Sequence, residues 1–121
     1  MATVQHTTEN LVGSTIRVTW TGLSTTDNVG TAVRAPDHTV KDVQVFGTFG
    51  AAGNVNIEGS LDAETTWATL NDVQGNALAF TAAKIERVQE TAASVRPSVS
   101  AGDGTTSLTV VMILTTGNAV S

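Results

Sequence analysis

Apolar residues recur every second position over most of this chain. In "TIRVTWT" (15–21), Ile16, Val18 and Trp20 share one face, while Thr15, Arg17, Thr19 and Thr21 share the other. That alternation predicts a half-buried strand. Before it, residues 1–14 are polar with isolated apolar residues (Val4, Leu11 and Val12), and read as an N-terminal arm or a loosely held edge segment. After it, Gly22 to His38 is rich in Ser, Thr, Asp, Asn and Gly and is longer than an ordinary connection, with room for a short edge strand at Thr31 to Arg34.

"TVKDVQVFGTFGAAGNVNIEGS" reads as a hairpin turning at "GAAGN". Val43, Val45, Gly47 and Phe49 share a face, as do Val55, Ile57 and Gly59, and Phe46 points the opposite way from Val45. Glycines inside strands suggest close backbone approach or a bulge. Two short strands then flank the turn "NDVQGN", with Trp67 and Leu70 before it and Leu78 and Phe80 after it. The alternation suggests that both Trp20 and Trp67 look inward. "AAKIERVQETAA" suits a helical turn or a strand equally. "ASVRPSVS" is a strand that Pro97 assigns to an edge or a bulge, because proline lacks a ladder donor.

In "TSLTVVMILTT", Leu108, Val110, Met112 and Leu114 face one way, and Val111 and Ile113 the other. A strand apolar on both faces is covered on both sides or forms a partner interface. The whole reads as all-β: an antiparallel, jelly-roll-like β-sandwich of about seven to nine strands with at most one short helical turn. Residues 15–121 form its single domain.

Composition agrees. Threonine and valine, whose branched Cβ suits a pleated surface, are abundant. Charged residues are 14% of the 121 and hydrophobic ones 40%, with a net charge of −5. Six Lys and Arg, scattered, make no basic stripe, so a nucleic-acid partner is not expected. No segment is apolar enough to span a bilayer or act as a secretory signal, so neither a membrane partner nor export is expected. The absence of Cys excludes disulfides and thiolate chemistry.

Little suggests catalysis or a cofactor. His6 and His38 are the two imidazoles, and no G-x-S-x-G accompanies them. Glu58, Asp62 and Glu64 lie close enough to suggest calcium, but their spacing matches no known calcium loop, and solvated charges are expected instead. "AGDGTT" (101–106) resembles the phosphate-binding loop of chaperonin ATPases, whose function needs a following helix. Here an alternating, β-branched strand follows. Asp103-Gly104 therefore reads as a hairpin turn, and the chain as no enzyme.

The block from Val43 to Leu114 resembles a family of small virion proteins encoded beside the capsid genes of tailed bacteriophages. The resemblance rests on Ile57, Gly59 and Ser60; Asp62, Trp67 and Leu70; Asp72, Gly75, Asn76 and Leu78; Arg96 and Pro97; and "GDGTT" at 102–106. Leu61, Ala63 and Ala101 depart from its pattern. The resemblance implies a head decoration (cement) protein on the capsid surface of the virion, assembled in the host cytoplasm. Its partners would be the major capsid protein and further copies of itself, bridging neighbouring capsid subunits. Val4, Leu11, Arg34, Phe46, Val111 and Ile113 are the interface candidates. A carbohydrate-binding module and a tail or connector component are the competing readings.

Overall fold

The computed structural model describes residues 3–116. They form twelve strands: β1 (Thr3–Val4), β2 (Thr7–Asn10), β3 (Thr15–Leu23), β4 (Val29–Gly30), β5 (Val33–Arg34), β6 (Val40–Thr48), β7 (Asn54–Ser60), β8 (Ala68–Thr69), β9 (Ala79–Phe80), β10 (Lys84–Arg87), β11 (Ser94–Ala101) and β12 (Ser107–Thr115). Five are only two residues long, so the count exceeds the sequence expectation through fragments that periodicity cannot register. No helix occurs among the described residues, and the ambiguous "KIER" is strand β10.

The strands make two sheets. One has five strands, in the order β10, β6, β12, β3, β2. The other has seven, running β1, β4, β11, β7, β8, with β5 also on β11 and β9 also on β7. All pairings are antiparallel except β1 with β4. Between the sheets lies one core. Val18, Trp20, Val43, Val45, Val110 and Met112 enter it from one side, and Val55, Ile57, Val95 and Val99 from the other. Each large aliphatic buried this way contributes about 1.5–3 kcal/mol of transfer free energy. Gly59 follows Val55 and Ile57 on the buried face, and glycine is needed there because a Cβ would meet the Ala92 Cβ at 2.6 Å.

The strands around "GAAGN" are not a hairpin. β6 lies in the five-stranded sheet and β7 in the seven-stranded one, so Phe49 to Gly53 is an arch across the core. An arch and a hairpin bury the same alternate residues, and periodicity alone does not tell them apart. Likewise Asp103-Gly104 lies in an arch, since β11 and β12 belong to opposite sheets.

Pro97 is not at an edge, since β11 runs between β7 on one side and β4 and β5 on the other, but the strand does carry the alternative feature, a register irregularity between Val99 and Ala101. The Ile57 N–H donates to Leu78 and its carbonyl accepts from Leu70, so the Ile57–Pro97 pair carries no ladder bonds. On its other side Pro97 lies opposite the gap between β5, which pairs at 94–95, and β4, which pairs at 98. A missing donor is tolerated there.

The first described residues are woven into both sheets. Val4 in β1 packs against the core, and its carbonyl accepts the Thr31 N–H at 2.9 Å. β2 then pairs with β3 at the edge of the other sheet. Thus the stretch read as an arm supplies edge strands; residues 1–2, like residues 117–121 at the far end of the domain, lie outside the described residues.

Candidate functional site

The outer face of the five-stranded sheet is built by β10, β6, β12, β3 and β2, whose alternate residues point away from the core. Register aligns them in rungs. One rung reads Thr7, Thr19, Val111, Gln44, Ile85, and the next reads Glu9, Arg17, Ile113, Asp42, Arg87. Phe46 lies beside Thr109, diagonal to Val111. Phe46 and Ile85 are 41% and 65% exposed, and Val111 and Ile113 are half-buried. The solvated face of a two-sheet protein ordinarily alternates to polar residues. Here an apolar strip runs down its centre instead.

Charges flank that strip in a fixed order. Arg17 reaches Glu9 through Nη2 at 2.7 Å, and Arg87 reaches Asp42 through Nε at 2.9 Å. The Asp42 carboxylate raises the Arg87 pKa further above its ordinary value. Across the sheet the signs therefore run minus, plus, apolar, minus, plus.

Of the interface candidates, the fold brings together Phe46, Val111 and Ile113. It does not bring Val4, Leu11 and Arg34 to them. Val4 is part of the core margin, Leu11 sits in the β2–β3 turn, and Arg34 lies exposed on β5 in the other sheet. Ile85 joins the face unforeseen: it emerges only once "KIER" is a strand registered on β6.

The "GDGTT" loop is occupied with itself and its neighbour. Asp103 Oδ1 accepts from the Thr105 N–H at 2.8 Å and its hydroxyl at 2.6 Å, and Oδ2 accepts from the Ala51 N–H at 2.8 Å. The Thr106 hydroxyl donates to the Phe49 carbonyl at 2.8 Å and accepts from the Asp103 N–H at 2.9 Å. These donors, the Thr105 hydroxyl foremost and then the Ala51 N–H, lower the Asp103 pKa to about 2. The carboxylate joins two arches, and strand β12 follows directly where a phosphate loop would need a helix.

The other polar candidates are likewise engaged. Asp62 Oδ1 accepts from the Thr66 N–H at 2.9 Å and from Ser60 Oγ at 2.8 Å, which lowers its pKa to about 2. Glu64 accepts from Ser94 Oγ at 2.9 Å, and Glu58 pairs with Arg96 at 2.9 Å. The three acids thus turn to different partners, and no metal-holding group of His, Cys, Asp and Glu occurs among the described residues. His38 Nδ1 lies 3.0 Å from the Asp37 carboxylate, and His6 Nδ1 lies 2.6 Å from the Thr31 hydroxyl. A groove of about 880 Å³ lies beside Leu61, Ala68, Leu70 and Ala92. Its Glu90 carboxylate accepts from the Asn71 backbone and side chain.

Trp67 does not look inward. It precedes β8 on the outer side of the seven-stranded sheet, half-buried, with the Arg96 guanidinium 4.1 Å from its ring centroid. Its position outside a strand removes it from the alternation that suggested burial. No family model, curated protein or solved structure matches the chain.

Proposed function

We propose that this chain is a structural virion protein of a tailed phage, without catalytic activity, that decorates the capsid and stabilises it by bridging neighbouring capsid subunits. The observation that carries the reading is the apolar strip of Phe46, Val111 and Ile113 on the outer face of the five-stranded sheet. An apolar strip on an otherwise alternating face supports a protein contact there. The resemblance of Val43–Leu114 to small virion proteins supports reading that assembly as a virion.

The engaged side chains support an assembly role over chemistry. Asp103, Asp62 and Glu90 hold loops closed, so their lone pairs serve the fold. Many modest contacts, repeated over a lattice, are sufficient for firm attachment. Co-sedimentation with purified heads tests the reading. Binding at a copy number comparable with that of the capsid protein is expected; absence from heads, or presence at the tail alone, overturns it.

Trp67 favours a second reading, a carbohydrate-binding module, because its ring lies on a polar outer face beside Glu58 and Arg96. Arg96 already covers one side of that ring, which weakens it as a sugar platform. Specific binding on a glycan array that is lost on Trp67→Ala, with the fold retained, would select this reading.

A further inference from the structure

We infer that the outer face of the five-stranded sheet pairs with the same face of a second copy, about a two-fold axis running nearly parallel to β12. The inference rests on the reading of that face as a protein contact and gives the contact to a second copy, so that a capsid would be met by other surfaces of the dimer.

The charge order is the reason. Across the rung Glu9, Arg17, Ile113, Asp42, Arg87, the signs invert when the rung is reversed about Ile113. A two-fold axis along β12 performs that reversal. It sets Arg17 of one copy over Asp42 of the other, and Glu9 over Arg87, twice in the dimer. Ile113 then meets Ile113, and Val111 meets Val111. In the neighbouring rung Gln44 meets Thr19, and Ile85 covers Thr7. No like charges oppose one another. Each existing ion pair gains a second, opposite neighbour, forming a four-charge network that excludes more water than the exposed pair does alone. A partner with uniform charge would leave half of this rung opposed by its own sign.

Size agrees. Three strands of nine residues and two of four, about 4.8 Å apart and rising about 3.3 Å per residue, make a face of roughly 550 Å². Two such faces bury about 1,100 Å², just under the range of standard stable interfaces and within that of weak, reversible ones. Association should therefore depend on concentration. Salt should weaken it, because exposed charges are screened.

Sedimentation velocity of the purified full chain, across a concentration series, tests this without any capsid present. Growth from the 12.4 kDa monomer to twice that mass is expected. Val111→Lys, which places like charges together at the axis, should weaken association at least tenfold. Arg17→Glu alone and Asp42→Arg alone should each be monomeric, and an equimolar mixture should form a heterodimer, because each altered charge then meets its complement. General loss of stability cannot produce that rescue. A wild-type monomer at every concentration, a Val111→Lys variant that still dimerises, or swap variants that fail to rescue each other would overturn the inference. Capsid binding by a strictly monomeric wild type would leave the decoration reading standing, and a dimer that ignores capsids would remove that reading alone.

Discussion

Trp20 ties three parts of the chain together. Its indole is fully buried, and Nε1–H donates to the Thr31 carbonyl at 2.9 Å. The His6 ring meets it edge-on at 5.8 Å, and Gly30 lies so close that an added Cβ would sit 2.5 Å from the indole. Trp20→Ala should therefore cost about 3–5 kcal/mol in urea unfolding. A loss below about 1 kcal/mol would contradict this packing. Lys41 is the unusual core residue: it is buried, and its ammonium donates to the His38 carbonyl. Burial lowers its pKa below 10.5, and Asp37 offsets part of that effect. Between the lowered folded value and 10.5, the unfolded chain binds more protons, so stability rises with pH across that window and levels off above it. Lys41→Met should abolish this rise, which unfolding curves at neutral and alkaline pH will reveal. The inward face of Trp20 was legible because strict alternation surrounds it. Trp67 was not, because one loop residue outside a strand carries no periodic signal.

At the scale of elements, the arches matter most. Phe49–Gly53 and Gly102–Thr106 lie side by side, and Asp103 and Thr106 join them. Asp103 has a folded pKa lowered to about 2, so its contribution is present above its ordinary value of 3.8 and is lost as pH falls toward 2. Asp103→Asn should lower Tm at neutral pH and make the acid limb shallower, leaving the part that Asp62 supplies. Thermal melts at several pH values between neutral and about 2 check both effects. Gly59→Ala forces a methyl against Ala92 and Leu70 and should cost about 1–3 kcal/mol in the same unfolding assay. Strand positions were largely legible here, whereas strand partners were not. Val43, Val45, Val55 and Ile57 face inward in a hairpin and in an arch alike, and pairing depends on contacts distant in sequence. The ambiguous "KIER" shows the same limit, since its strand character comes from the ladder with β6.

For the whole molecule, two covered sheet faces make the core and a third face remains outward with an apolar centre. Val111 and Ile113 were legible as a second apolar face of β12, and Phe46 as an odd residue on β6. Their convergence, with Ile85 and the ordered charges beside them, needed the register of five strands. Replacing Ile113 with Lys should leave the core intact and the melting temperature near that of wild type, while removing association through this face. The most direct measurement is quantitative co-sedimentation of the full chain with purified capsids. Saturable binding at a copy number comparable with the major capsid protein is expected for a shell-decorating sandwich; no binding to heads, or binding confined to the tail, would contradict it.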